Sequence, residues 1–71
     1  MELNIGAFKT LLNTYFNGNQ SEMARALEIN KAQLNSIIKT DGKNAGKKVI
    51  GGLMKFCIAN NFDFKDYIFL Q

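Results

Sequence analysis

Apolar side chains recur at helical spacing along most of the chain, beginning with residues 3–16. There the apolar positions form one wide face of a helix. They are Ile5, Phe8, Leu11, Leu12, Tyr15 and Phe16. Asn4 is placed to cap the start of this helix, and Asn17-Gly18 supplies a left-handed stop. The pattern predicts a first helix that serves as core scaffold.

The segment from Gln20 to Lys39 predicts two short helices joined by a tight turn, over residues 20–27 and 31–39. Ala24 is a small residue at the point where the two helices must approach closely. The apolar positions that this arrangement would bury are Met23, Leu27, Ile29, Leu34 and Ile37. This pair of helices is the centre of the predicted fold.

Both helix starts in this segment carry capping signals. Asn19 and Asn30 stand at the two N-cap positions, and Glu22 and Gln33 follow three residues later. This spacing is that of the capping box, with Asn in place of Ser or Thr. We therefore expect each Asn to accept a backbone hydrogen bond and each partner to return one.

The next predicted helix begins between Asn44 and Lys47 and runs to about Asn60. Gly51 and Gly52 lie inside it, although Gly lowers helix propensity by about 1 kcal/mol relative to Ala. A pair of helical glycines indicates that another backbone packs closely there. The first helix is the expected neighbour.

The tail, residues 61–71, predicts a last short helix with Asp63 as its N-cap and Asp66 at its third position. Phe62 and Tyr67 are spaced as a hydrophobic staple. The tail is too apolar to face one small core, and an exposed apolar patch usually marks a partner. We predict a homodimer interface formed by Phe62, Phe64, Tyr67, Ile68, Phe69 and Leu70. The alternative is a tail that folds back on its own chain.

Composition excludes several classes of function. The 71 residues make a single domain, with one cysteine, Cys57, and no histidine. A disulfide within the chain, a Cys/His zinc site and a Ser–His or Cys–His catalytic pair are therefore absent. No signal peptide or membrane-spanning stretch is evident. We expect a soluble, cytoplasmic, non-enzymatic protein without a cofactor, metal or small-molecule ligand.

The net charge of +3 is unevenly distributed. Residues 29–48 contain five lysines against the single acidic residue Asp41, whereas the rest of the chain is slightly acidic. Such a one-sided field favours a polyanionic partner. A solvated, lysine-rich loop is the alternative.

The segment 20–39 resembles the Cro/CI-type (XRE, lambda-repressor-like) helix–turn–helix family. The resemblance rests on Gln20, Ala24, the apolar positions given above and the polar second helix, KAQLNS. Glu28 stands in the turn, where the family usually has Gly. The resemblance implies an all-α, five-helix domain that binds double-stranded DNA as a homodimer. It also implies a small phage or mobile-element repressor similar to Cro. In the family, the fifth helix often forms the dimer contact.

In that interpretation the helix beginning at Lys31 enters the major groove, which is about 12 Å wide and admits one helix. Lys31 would donate to guanine O6 and N7, and Gln33 would make a paired contact with adenine. Ala32 would touch a thymine methyl group, and Ser36 is a short, versatile base reader. The resemblance places Lys31, Ala32 and Ser36 at the main base-reading positions, with Gln33 beside them.

Phosphate contacts are expected where helix N-termini and lysines lie together. The candidates are Asn19, Gln20, Asn30, Asn35, Lys39, Lys43, Asn44, Lys47 and Lys48. Capping and phosphate binding are compatible roles for the asparagines among them.

Other functions remain as alternatives. The main one is a phage-type protein-interaction module that antagonises a host factor, favoured by Glu28 in the turn and by the apolar tail. RNA binding is less well supported, because no aromatic residues are interleaved with the basic ones. The stretch GKNAGKK is not a Walker A loop, since Asp41 and Lys48 stand where Gly and Ser or Thr are required.

Overall fold

The computed structural model describes residues 2–69, and within that range the chain forms four α-helices, one 3₁₀ turn and two short strands. None of the helices in this range is long and apolar enough to cross a membrane. The elements are β1 (Glu2–Leu3), α1 (Ile5–Thr14), α2 (Gln20–Ala26), α3 (Lys31–Lys39), α4 (Lys47–Ala59), the 3₁₀ turn (Phe64–Tyr67) and β2 (Ile68–Phe69). The predicted helical domain and its first four helices are confirmed.

The prediction of a fifth helix is wrong. The tail forms a single 3₁₀ turn and then β2, which pairs antiparallel with β1. The backbone N–H of Asn4 extends this connection by donating to the Tyr67 carbonyl at 2.8 Å. Nucleating a helix is unfavourable, and a short helix forms too few hydrogen bonds to offset that cost. Pairing with the start of the chain satisfies the backbone of the tail instead.

The strand register carries part of the tail into the core. Leu3 lies opposite Ile68, and both side chains are buried. Glu2 lies opposite Phe69, which is 52% exposed. The two-stranded sheet therefore has one face on the core and one face in solvent.

Residues of the predicted dimer interface are distributed unevenly between core and surface. Ile68 is buried within the single chain, and Phe62, Phe64 and Tyr67 are half-buried against the core. Phe69 is the largely exposed member, and Leu70 lies outside the described residues. The tail thus folds back on its own chain over most of its described length, and homodimer formation stays a prediction.

The core draws on all four helices. The side chains with almost no exposed surface are Phe8, Met23, Leu27, Leu34, Ile37, Leu53 and Cys57. Burial raises the pKa of the Cys57 thiol, and the carboxylates of Asp63 and Asp66 raise that pKa further. A buried, protonated thiol is chemically inert.

An aromatic cluster links the tail to α1 and α4. The rings of Phe56 and Phe62 stack with centroids 5.7 Å apart, and Tyr15 meets Phe62 edge-on at 5.4 Å. Phe62 and Tyr67, the predicted staple, meet edge-on at 6.4 Å. Offset and edge-on geometries are the favoured arrangements of aromatic pairs. The staple signal is therefore realised, although the element that it begins is only a 3₁₀ turn.

The glycine pair of α4 marks a close contact, but not with α1. A Cβ atom at Gly52 would overlap the carbonyl oxygen of Leu27, at the end of α2. A Cβ atom at Gly51 would meet nothing within 4 Å. The predicted close approach of a second backbone is confirmed for Gly52, and the expected partner was wrong. The middle of α4 supports the turn between α2 and α3.

Candidate nucleic-acid interface

The turn between α2 and α3 is a Schellman motif built on a non-glycine residue. Glu28 has a φ of 59°. Its N–H donates to the Arg25 carbonyl at 3.1 Å, and the N–H of Ile29 donates to the Ala24 carbonyl at 2.9 Å. This hydrogen-bond pair is the usual way to close a helix C-terminus, and it normally uses Gly at the left-handed position. The turn keeps the geometry that Gly would favour and places a strained Glu there.

The N-terminus of α3 is closed by a complete capping box. The Asn30 Oδ1 atom accepts from the Gln33 N–H at 2.7 Å, and the Gln33 Oε1 atom accepts from the Asn30 N–H at 3.2 Å. The predicted box at this helix is confirmed. It fixes the side chain of Gln33 against the start of α3.

The predicted box at α2 is only half formed. Asn19 Oδ1 accepts from the Glu22 N–H at 3.1 Å, as expected. The N–H of Asn19, however, donates to the Phe16 carbonyl at 2.9 Å, and so it is not available to the Glu22 side chain. The turn that ends α1 therefore uses the Asn19 N–H that the capping box would have needed.

The outward face of α3 is polar and accessible. Leu34 and Ile37 are buried, whereas Lys31 and Ala32 are exposed. The half-buried polar residues of this helix are Gln33, Asn35 and Ser36. Each residue predicted to read bases therefore lies at least partly at the surface. The periodicity also predicted correctly that Leu34 and Ile37 form the buried face of α3.

The loop after α3 is tied back onto the helix. Asn44 Nδ2 donates to Ser36 Oγ at 2.8 Å, and Thr40 Oγ1 donates to the Ser36 carbonyl at 2.8 Å. The N–H of Gly42 donates to the Ile37 carbonyl at 2.9 Å. Asn44, which the sequence suggested as a phosphate ligand, therefore holds a predicted base reader. The pair is eight residues apart, and no local sequence motif indicates such a contact.

The N-terminus of α4 has no side-chain cap. Gly46 occupies the N-cap position with extended backbone and makes no capping hydrogen bond. Lys47 and Lys48 follow it, and both are exposed. Backbone donors at a helix start, the positive end of the helix dipole and two ammonium groups together favour an anion.

Asp41, the single acidic residue of residues 29–48, pairs with a lysine outside that range. Asp41 Oδ1 lies 3.5 Å from Lys9 Nζ on α1, and both side chains are largely in solvent. Such a pair contributes little to stability. It nevertheless places a positive charge beside the single carboxylate of residues 29–48. Within residues 2–69, none of the five lysines of this region forms an ion pair, namely Lys31, Lys39, Lys43, Lys47 and Lys48.

The remaining predicted contacts lie at the start of α2. Gln20 is the half-buried first residue of α2, and its cap, Asn19, is exposed. The structure links two pairs among the predicted residues by side-chain hydrogen bonds, Asn30 with Gln33 and Asn44 with Ser36. Over residues 2–69, no group of three or more His, Cys, Asp or Glu side chains is placed to hold a metal ion.

Comparison of the chain with protein-family models, with curated proteins and with solved structures finds no match.

Proposed function

We propose that the protein is a sequence-specific, double-stranded DNA-binding regulator of the Cro-like repressor type, which acts by occupying an operator. The observation that carries this proposal is the polar outward face of α3, with Lys31 and Lys39 at the two ends of the helix and Lys43 in the loop after it, none of them in an ion pair among the described residues. One helix of a helix–turn–helix fits the major groove, and a positive border attracts the phosphates beside it.

The base readers in this proposal are Lys31, Ala32, Gln33 and Ser36, all at least partly exposed on one helix. Lys31 supplies three hydrogen-bond donors on a long, flexible stem. Ala32 offers a methyl group to thymine, which is the apolar contact that base edges in the major groove allow. The half-buried Asn35 is assigned to the DNA backbone.

Phosphates are held at two helix starts. At α4, Lys47 and Lys48 act together with the backbone donors that Gly46 leaves without a side-chain cap. At α2, Asn19 and Gln20 stand at the positive end of a second helix. Lys39, Lys43 and Asn30 add contacts along the same border.

A homodimer is the proposed binding unit, because two copies related by a two-fold axis read an inverted repeat. The half-sites would lie about 34 Å apart, which is one turn of the double helix. Phe69 is the exposed apolar side chain of β2 and is the part of the predicted tail interface that a second copy can reach without unfolding the tail.

The salt dependence of DNA affinity tests the proposal. Titration with a random-sequence duplex should give an affinity that falls steeply with salt, and Lys47→Gln should weaken binding to all sequences and lower the salt slope by about 1. The matched control is Lys65→Gln, which removes the same charge from the 3₁₀ turn and should leave affinity almost unchanged. Equal losses for the two variants, or no binding at low salt, would contradict the proposal.

The second candidate function is that of a protein-interaction module. Ile58 is 72% exposed, and Met54, one turn earlier on α4, is 39% exposed. Large apolar side chains in solvent favour a protein partner. Sedimentation of the protein with and without DNA separates the two functions. A chain that ignores DNA at low salt, and that loses a self-association or partner contact in Ile58→Lys, would support this second candidate.

A further inference from the structure

We infer that the outward face of α4 is a self-association surface, on which two copies of the chain pack antiparallel about a two-fold axis. In that arrangement Ile58 of each copy fills the space beside Gly51 of the other. The inference goes beyond the proposed function, since it identifies the contact between two copies and does not require DNA. It makes α4 the main contact between copies and places Phe69 outside that contact.

An apolar stripe runs along the side of α4 that faces away from the core. Ile58 is 72% exposed and Met54 is 39% exposed, and they are two of the four large apolar side chains exposed among residues 2–69. Ile50, one turn before Met54, is half-buried. The three residues are spaced by four, so they form one row on the surface of the helix. This row is the apolar surface that a second copy would cover.

Gly51 leaves a gap in the same face. A Cβ atom at Gly51 would meet nothing within 4 Å, so the packing of the single chain does not require glycine there. Glycine nevertheless destabilises a helix interior relative to alanine. Together with Ala45, Ile50 and Met54, it lines an apolar groove of about 520 Å³. The groove has room for an apolar side chain from another molecule.

Gly51 and Ile58 are spaced to complement each other across a two-fold axis. Seven residues separate them, which is two helical turns or about 10.5 Å, so both lie on the same face of α4. When two copies of α4 pack antiparallel about an axis midway between these residues, Gly51 of each copy lies opposite Ile58 of the other. One contact therefore occurs twice, as in any isologous dimer. Lys55 borders the stripe, and its flexible stem lets the ammonium group stay in solvent.

The charges at the two ends of α4 favour antiparallel over parallel packing. The first turn contains Lys47 and Lys48 and no acidic residue, and the last turn contains no basic residue. The start of α4 is therefore positive and its C-terminal carbonyl groups form a negative end. Antiparallel packing places the positive end of each helix alongside the negative end of the other, whereas parallel packing places like ends together. Because the contact is lateral, it leaves the start of α4 open to a phosphate along the helix axis.

The size of this surface sets the expected affinity. A helix of 13 residues presents one face, whereas a standard stable complex buries about 800 Å² on each partner. We therefore expect a dissociation constant on the order of tens of micromolar. A DNA site that holds two copies side by side would raise their effective concentration and favour the same contact.

Sedimentation of the full chain without DNA, from about 10 µM to about 1 mM, tests the inference. The wild-type chain should change from monomer to dimer over this range. Ile58→Ala should raise the dimer dissociation constant about tenfold, because it truncates a contact that occurs twice. Gly51→Leu should raise it by a similar factor, because the new side chain occupies the groove that Ile58 needs. Both positions are open in the single chain, and circular dichroism melting establishes that each variant is folded.

The double variant Gly51→Leu with Ile58→Ala sharpens the test. It exchanges the large and the small side chain across the interface, and should restore the dissociation constant to within about threefold of the wild-type value. Phe69→Ala, the matched control in the tail, should leave the dissociation constant unchanged. Gly51→Leu also separates a specific contact from general adhesion, since it adds exposed apolar surface and would strengthen association of a non-specific kind.

Three results would overturn the inference. They are a chain that stays monomeric over the whole range, a Gly51→Leu variant that associates more strongly, and a dimer that is lost in Phe69→Ala but not in the α4 variants.

Because these measurements contain no DNA, their outcome is separate from that of the DNA titration. Salt-dependent DNA binding by a chain that stays monomeric overturns the inference and leaves the proposed DNA binding intact. A dimer with the expected response to the α4 variants that ignores DNA at low salt supports the inference and overturns the proposed function.

Discussion

The helix–turn–helix segment, residues 20–39, and the tail, residues 61–69, carry similar local signals and take different structures. Both have an Asn or Asp at an N-cap position and an apolar pair spaced as a hydrophobic staple, Ile29 with Leu34 and Phe62 with Tyr67. The cap of α3 opens a helix of 9 residues, whereas the cap at Asp63 opens a 3₁₀ turn of 4 residues. The same signal therefore starts an element without setting its length.

Length and alternative partners explain the difference. After Asn30, a polar and apolar alternation of helical period continues for more than two turns, so that α3 buries Leu34 and Ile37. After Asp63, the N-terminal residues Glu2–Leu3 offer a strand to pair with, and Ile68 enters the core from that strand. A helix of this length is only marginally stable, whereas strand pairing that also buries apolar surface is more favourable.

The largest loss of stability is expected at Gly52, which packs against the turn between α2 and α3. Gly52→Ala places a methyl group against the Leu27 carbonyl and should lower the free energy of unfolding by about 3 kcal/mol, in the range for overpacking of a core. Gly51→Ala is the matched control, and should stabilise the helix by up to about 1 kcal/mol. Urea denaturation of both variants measures the difference, and similar values for the two would show that α4 does not press on the turn.

The packing of the tail is tested by substituting its buried residue, Ile68, and its exposed residue, Phe69. Ile68→Ala should cost about 2 kcal/mol of unfolding free energy, at the low end for a buried Ile because the site lies at the edge of the core. Phe69→Ala should change that value by less than about 0.5 kcal/mol in the monomer. If instead Phe69→Ala were the more destabilising in dilute monomer, the tail would not be packed as the structure shows.

A substitution at Glu28, in the strained turn between α2 and α3, should raise stability. Glu28→Gly removes the cost of a side chain at positive φ and should raise the free energy of unfolding by about 1 kcal/mol. Asn61→Gly, at a φ of 62° after α4, should gain less because Asn tolerates this conformation better. Thermal melting of the two variants gives the comparison. A loss of stability in Glu28→Gly would mean that the Glu side chain contributes more than its strain costs.

The pH dependence of stability gives the smallest expected effect. The pKa of Cys57 in the folded protein is raised above its ordinary value of 9.0, chiefly by burial. Above that pH the unfolded chain releases the thiol proton while the folded chain retains it. The contribution of Cys57 to the free energy of unfolding should therefore fall as pH rises from 9.0 toward the folded pKa, and be constant below 9.0.

Urea titrations between neutral and alkaline pH check this slope, with Cys57→Ala as the reference that should lack this contribution. A slope that is the same in both proteins would assign the effect to another group, of which the Tyr67 hydroxyl is the nearest candidate, since burial raises its pKa as well.

Much of the candidate site could be predicted from the sequence, because its signals are local. Asn4, Asn19, Asn30 and Asp63 were each expected to accept a capping bond, and each does so. The exposed face of α3 also follows from periodicity alone. The bond between Asn44 and Ser36 was not predictable, because it depends on how a glycine-containing loop folds back over eight residues.

The four helices and the side-chain caps of α1, α2 and α3 follow from the amino-acid sequence, since each depends on neighbours within about one helical turn. The concentration of lysines between residues 29 and 48 is likewise a property of the sequence alone. The strand pairing of the tail, the contact between Gly52 and Leu27 and the hydrogen bond between Asn44 and Ser36 arise only when the chain is folded. These depend on groups that are distant in the chain or compete for one partner, and only packing brings such groups together. In the same way, the turn after α1 takes the N–H of Asn19 from Glu22.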